Sequence, residues 1–463
     1  MNLTVNIKNV GKGLHLTDVF ISILFITCCL QILYLTQRHE FGVLISVYSV
    51  FFITYLYVLK TRTQTDFYLK LGILLRGIAV FSFPNLSDDI YRFLWDGHLI
   101  NLGENPFSYA PQYYFESQQF SNILTPELYA RLNSPTYYSV YPTFCQAVFT
   151  VATFLFPKSI YGATWVIKCV LFACEIGTLL LMKKMLRDSK NVLIYALNPL
   201  IIIELVGNVH FEASMIFFFI ASIYMLQKGD ILSQRTPLER GGILFALSIV
   251  SKMLPMMFLP IFFKKLGIKR SFYFWAIVVG ATLIFLLPIY NSLFISNISK
   301  SLGLYFKNFE FNASVFYIWK EIGIQRYGYN IIQQITPFLT LTVVVFIALQ
   351  TLFNPQLRDN PQWQQAFFSS ALMVVSLYFA VATTVHPWYA ALPLACSVFT
   401  HWRFPMVWTF FIFLTYAGYT EGSSKHTENM YLLVLEYSVV YLFFIYEGFK
   451  YFSKQFSRKK PDC

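Results

Sequence analysis

The stretch GGILFALSIVSKMLPMMFLPIFF, residues 241–263, decides the fold. It is uncharged throughout except for Lys252, and basic residues flank both of its ends, Arg235 and Arg240 before it and Lys264 and Lys265 after it. A helix rises 1.5 Å per residue, so these residues are too few to cross a hydrocarbon core of about 30 Å twice. Yet similar flanks place both ends on one side. The reading that satisfies both facts is a re-entrant, broken helix pair over 241–263, interrupted at Lys252 and Pro255. Irregular backbone at that depth is tolerated only when buried in protein or lining a wet cavity.

Working outward, apolar runs of spanning length fall near 17–37, 42–59, 67–83, 161–182, 191–206, 212–227, 271–290, 336–353, 365–384, 388–401, 404–419 and 430–449. The whole chain of 463 residues is 56% hydrophobic and only 13% charged, against roughly 25% charged in an ordinary soluble domain. This excludes a soluble fold, and 49 Phe with 31 Tyr exclude disorder. The expectation is an all-α, polytopic membrane protein, a single integral domain over 1–463 with about 12–14 transmembrane or re-entrant helices. The net charge of +12 invites a nucleic-acid partner, but the basic residues lie in short clusters between apolar runs, so no nucleic acid is expected. Seven cysteines, mostly within apolar runs, fit neither a disulfide framework nor a zinc spacing.

Loop charge gives the orientation. With the N-terminus inside, 23 of the 35 basic residues fall in cytoplasmic loops, among them Lys8, Lys12, Arg62, Lys183, Lys184, Lys264, Arg403, Lys459 and Lys460. Both termini are then cytoplasmic and the chain is multi-pass in the inner (plasma) membrane. The bias requires 141–157 to lie along the outer leaflet without crossing. Two long stretches are then external: 84–160, the first outer loop with its juxtamembrane helices, and 291–335, the second outer loop.

The first outer loop reverses the sign of the protein. Over 84–140, Asp88, Asp89, Asp96, Glu104, Glu116 and Glu127 face only Arg92 and Arg131, with Tyr91, Trp95, Tyr109, Tyr113 and Tyr114 among its aromatics. Such rings serve either as an interfacial belt or as faces for sugar C–H groups. Ser87 stands as an N-cap for a short helix in which Asp88, Arg92 and Asp96 recur every four residues. Neighbouring carboxylates raise one another's pKa, which suits a proton-abstracting base, although helix capping is the plainer role. Lys252 is either a snorkelling cation or the partner of an anionic phosphate. Glu204, within an apolar run, is expected to pair with Lys168. His210 and Glu212 lie too close to too few other ligands to read as a metal site, so no metal and no cofactor are expected.

The run Ser87-Asp88-Asp89-Ile90-Tyr91-Arg92-Phe93-Leu94-Trp95-Asp96-Gly97, then Gly103-Glu104-Asn105-Pro106-Phe107, resembles the first outer loop of GT-C multispanning glycosyltransferases. Among these the chain is most similar to bacterial polyprenyl-phosphate-mannose-dependent mannosyltransferases. Tyr141-Pro142, Asn198-Pro199, Gly207-Asn208-Val209-His210-Phe211-Glu212, Lys252-Met253-Leu254-Pro255, Phe311-Asn312 and His386-Pro387-Trp388-Tyr389 extend the resemblance over about 80–390. The resemblance implies an inverting transfer of a hexose, with mannose expected, from a polyprenyl-phosphate-linked donor to a glycan or glycolipid acceptor among membrane lipids. It implies catalysis by Asp88 or Asp89, with the choice leaning to Asp88. Arg92, Asp96, His210, Glu212, Lys252, Asn312, His386 and Tyr389 are the expected substrate-binding residues. Glu212 departs from the pattern, where aspartate is usual. A secondary transporter is the alternative of another class, but it should show an internal repeat. A lipid-linked saccharide polymerase or ligase would share the outer loops.

Overall fold

An apolar chain in hydrocarbon must satisfy its own amides, and a helix does so within one segment. The computed structural model describes residues 15–61, 64–228, 235–307, 309–359, 363–421 and 426–458. Among them all regular structure is helical, with isolated bridges only at Phe311–Thr384 and Tyr419–His426. The protein is an all-α polytopic membrane protein. Among the described residues, seven helices are long and apolar enough to cross a bilayer, or eight if the bent pair Ser189–Ala196 and Pro199–Gly207 is one span. The other apolar runs form shorter or broken helices. Lys8, Lys12, Arg62, Lys459, Lys460 and Cys463, which entered the sequence reading, lie outside the described residues.

Taking the end that carries Asp88 as the upper end, α1 (Leu16–Leu30, extended by a π turn Gln31–Leu35) rises, α2 (Phe41–Thr61) descends and α3 (Thr65–Val80) rises again. Asn85 ties the upper ends together by donating to the carbonyls of Ile32 (2.7 Å) and Thr36 (2.5 Å). The upper loop that follows holds α4 (Asp89–Asn101), α5 (Pro111–Glu116), α6 (Pro126–Ala130) and α7 (Thr143–Leu155). Gly97 lets α4 and α7 touch, because a Cβ there would sit 2.4 Å from the Phe149 carbonyl oxygen. The other face of α7, with Val151, Phe154 and Leu155, is exposed.

Helix α8 (Ile160–Met185) descends, and α9 (Leu193–Ala196) and α10 (Pro199–Ile201) return upward with a bend of 56°. The bend has a local cause. Asn198 caps α10, its Oδ1 accepting from the Leu200 and Ile201 amides, and Pro199 fills the first helical position, where no donor is needed. A π turn, Ile202–Gly207, follows and aims Glu204 inward. Beneath the bend Arg76 pairs with Glu175 at 2.8 Å and donates to the Ala196 carbonyl, and Tyr195 donates to the second carboxylate oxygen.

The expected Lys168–Glu204 pair is not formed. Lys168 caps the upper end of α3, donating to the carbonyls of Ala79 (3.0 Å) and Ser82 (2.7 Å) and to Ser82 Oγ, while Glu204 accepts from Tyr416 (2.6 Å). The π turn rotates Glu204 away from α8, and the open carbonyls at the end of α3 supply Lys168 with acceptors.

Helix α11 (Glu212–Lys228) descends and α12 (Thr236–Ile249) climbs beside it. The chain then reverses over 250–253 and goes down as a 3-10 turn series, Leu254–Phe262, containing Pro255 and Pro260. Helix α13 (Phe263–Leu286) breaks at Gly267 (φ 69°) and rises again, with Tyr273 bonded to Glu239 at the lower end and Trp275 to the Leu259 carbonyl. Lys252 therefore stands at the top of a reversal. Above it, α14 (Phe294–Lys307) and α15 (Val315–Tyr327) form the second upper stretch, and Asn297 of α14 donates to the Phe107 and Ser108 carbonyls of the first. Helix α16 (Ile332–Phe353) descends to the short α17 (Gln356–Asp359), α18 (Trp363–Val381) rises, and α19 (Ala391–Ser397) descends. Helix α20 (Phe404–Phe411), continued as a 3-10 turn to Gly418, rises, and α21 (Met430–Arg458) descends last.

Arg76→Leu should leave Glu175 charged and buried without its partner, a loss of about 3–5 kcal/mol. Thermal unfolding of the detergent-solubilised protein should show a large fall in melting temperature, partly restored by adding Glu175→Gln. An unchanged melting temperature would deny the pair its role.

Candidate active site

The upper ends of α1, α4, α11, the 250–253 reversal and the segment before α19 converge around two acids and one lysine. Ser87 Oγ accepts the Asp89 amide at 3.3 Å, so α4 begins at Asp89 with Asp88 in the N-cap position. Asn208 pins this entry from below, its Oδ1 accepting the Leu86 amide at 3.0 Å while its Nδ2 donates to the Ile203 carbonyl. The adjacent acids then part company. Asp88 pairs with Arg38 at 2.8 Å, and the Arg38 guanidinium lies 4.2 Å from the centre of the Tyr419 ring. Asp89 turns the other way and accepts from Asn133 at 2.7 Å. Burial raises the Asp89 pKa above its usual value. The Asn133 bond and the Lys252 and Arg38 charges oppose that rise, and Asp88 adds to it.

Glu212, fully buried at the first position of α11, bonds Lys252 across the α11–α12 hairpin. The N-terminal end of a helix favours a carboxylate there. Lys252, which has no acid near it in sequence, thus has one forty residues away. Its ammonium also lies 5.2 Å from the centre of the Tyr389 ring, in cation–π range. Glu212, the departure noted in the sequence, is the acid that meets the lysine.

A stack of three rings forms the next wall. Trp388 lies between His210 (3.6 Å between centroids, 15° between planes) and His386 (4.5 Å, 8°). Val209, a β-branched residue at φ 60°, holds a strained turn immediately before His210. Burial, then Lys252 and His386, hold His210 well below its usual pKa, and burial, Lys252 and His426 push His386 down to about 3. Both imidazoles are therefore neutral at neutral pH, each with one N–H to donate and one nitrogen to accept. His210 Nε2 lies 3.3 Å from Glu204 Oε2.

The other expected residues are used elsewhere. Arg92 and Asp96, 2% and 0% exposed, bond each other at 2.8 Å. Arg92 further donates to the Ser134 and Tyr137 carbonyls, and Asp96 accepts from Ser139 (2.5 Å) and Gln146 (3.1 Å). They clamp the upper loop onto α4. Asn312, in the left-handed region at φ 47°, bonds Glu428 through its amide and Glu436 through its side chain, away from Asp89.

Sequence reading passed over Arg38, Asn133 and the stacking role of Trp388. Arg38 had a signal, a basic residue in a short connection on the side the charge rule assigns to few cations. Asn133, in an ordinary turn sequence, had none. No three or more His, Cys, Asp or Glu side chains converge into a metal cluster among the described residues.

Lys252→Met should strand the fully buried Glu212 at a cost of about 3–5 kcal/mol. In melting experiments, Glu212→Gln added to Lys252→Met should recover most of the loss. Additive losses from the two changes would mean that the pair does not couple.

Residues 78–266, which contain Asp88, Asp89, Glu204, His210, Glu212 and Lys252, match the family model described as Alpha-(1->6)-mannopyranosyltransferase, N-terminal domain. No curated protein and no solved structure matches the chain. The stretch that builds most of this site is thus similar to a mannosyltransferase family of the GT-C type.

Proposed function

We propose that the protein transfers mannose from a polyprenyl monophosphate to a glycan or glycolipid hydroxyl, with inversion, at the external face of the plasma membrane. The observation that carries this reading is the placement of Asp89 within electrostatic reach of the Lys252 ammonium, which Glu212 holds at the top of a reversed segment. Asp89 takes the acceptor proton as the acceptor oxygen bonds to C1 of the sugar. The bond from C1 to the phosphate oxygen breaks, its electron pair leaving with the phosphate. Charge grows on that phosphate during cleavage, and Lys252, with N–H or O–H donors from His210, His386 and Tyr389, stabilises it. The sugar passes through an oxocarbenium-like state, as in glycoside hydrolysis. Holding a lipid-linked donor beside the acceptor lowers the barrier by proximity.

The choice of Asp89 over Asp88 rests on partners. Asp88 is already neutralised by Arg38, whereas among the described residues Asp89 has only a neutral amide on one oxygen. Burial makes Asp89 a stronger base than an ordinary aspartate. The acceptor surface on the outside is supported by the loop-charge bias, which also leaves both termini cytoplasmic.

Asp89→Asn should lower transfer at least about 100-fold in membranes at unchanged expression, while Asp88→Asn keeps measurable turnover. The reverse pattern would move the base to Asp88, and full activity in both variants would reject either. Because the Asp89 pKa is raised, the acid limb of kcat/KM should lie above the ordinary carboxylate range. No histidine limb should appear near pH 6.5. A cysteine replacing the exposed Gln118 should react with an impermeant thiol reagent added to intact cells. Labelling only after lysis would invert the topology.

A further inference from the structure

Away from the cluster around Asp89 lies a second polar site, where the turn at Asn312, the end of the turn after α20 and the start of α21 meet. Its walls include Asn312, Thr415, Glu428 and Glu436, closed below by Leu414 and Leu432. The cavity measures about 10 Å³. That is roughly the space one water molecule needs, and it is far too small for a sugar ring.

The donors that meet its two acids are already committed. Glu428 Oε2 accepts from the Asn312 amide (2.9 Å) and Tyr317 (3.3 Å), and Glu436 Oε1 accepts from Asn312 Nδ2 (3.2 Å) and Trp408 Nε1 (2.9 Å). Each carboxylate is held through one oxygen, and the other oxygen takes no hydrogen bond among the described residues. Asn312 is fully buried, and its Oδ1 has no hydrogen-bond partner among the described residues. Among the described residues neither carboxylate has a lysine or arginine in salt-bridge contact. With both acids ionised, the unused side-chain atoms of Asn312, Glu428 and Glu436 are therefore all acceptors, two of them on carboxylates, in a space of one particle. One water can donate only two hydrogen bonds and leaves the repulsion between the acids in place. A small cation answers both.

We propose that Glu428, Glu436 and the Asn312 side-chain oxygen bind one hard divalent cation of the Ca²⁺/Mg²⁺ class. Only oxygens are on offer, as such cations prefer. The nearby imidazole of His426 is turned to the Thr415 carbonyl at 3.0 Å, which disfavours zinc. The ion pins the Asn312 turn to the last span. That turn carries Phe311, whose amide bonds the Thr383 carbonyl and whose carbonyl accepts the Val385 amide, so the ion steadies the strip that ends at His386. The proposal is independent of the transfer reaction.

The test uses the full chain, purified in detergent, stripped with a chelator and desalted, then titrated calorimetrically with Ca²⁺ or Mg²⁺ alone, with Zn²⁺ as comparison. One equivalent of Ca²⁺ or Mg²⁺ should bind and raise the melting temperature. Glu428→Gln and Glu436→Gln should each weaken binding at least about tenfold, since ligand charge sets affinity in such sites. Glutamine keeps an acceptor for the Asn312 bonds, so both variants should melt no lower than stripped wild type. If Glu436→Gln does not fold, Glu428→Gln, at the cavity mouth, decides alone. Absence of binding, binding unchanged in the variants, or a preference for Zn²⁺ would overturn the proposal.

Discussion

The structure around the candidate active site depends on one partly buried ion pair, Lys252 with the fully buried Glu212. A carboxylate enclosed at the end of a helix bundle is tolerated only with such a partner. Pairing them fixes the top of the 250–253 reversal against the first turn of α11. It also sets the field felt by their neighbours. The lysine lowers both histidine pKa values and partly offsets the effect of burial on Asp89.

Around that pair the scaffold works by polar clasps at the ends of helices. Asn208 joins the entry of α4 to the π turn below it, Asn85 joins it to α1, and Arg38 closes over Asp88. The bend at Asn198-Pro199 and the strained turn at Val209 direct Glu204 and His210 into one space. Each clasp answers the open amides and carbonyls that helix ends leave behind. The site is thus assembled from the irregular places in an otherwise regular bundle, where side chains can converge.

The helical, membrane-spanning class was legible because charge content and apolar run length are local properties of the sequence. Lys252 stood out too, as a cation interrupting an apolar run beside proline. Its partner was not, because Glu212 meets it only when α11 and α12 pack as a hairpin. The same limit explains Lys168 and Glu204, two ionisable residues in apolar runs that each found another partner. The opposite fates of Asp88 and Asp89 hang on Arg38 and Asn133, which approach from distant segments and carry no motif. Glu436 did carry a signal, an acid inside the apolar run 430–449, of the kind that usually marks a pair or a function.

The central claim is that a carboxylate and a lysine at the upper end of the bundle act on a lipid-phosphate mannose. The most direct measurement is to incubate the purified protein, with membrane-derived acceptor, with a panel of polyprenyl-phosphate sugars and nucleotide sugars and follow which donor is consumed. The account predicts consumption of polyprenyl-phosphate mannose with release of polyprenyl phosphate. Turnover of a nucleotide sugar, or of no lipid-linked donor at all, would contradict it.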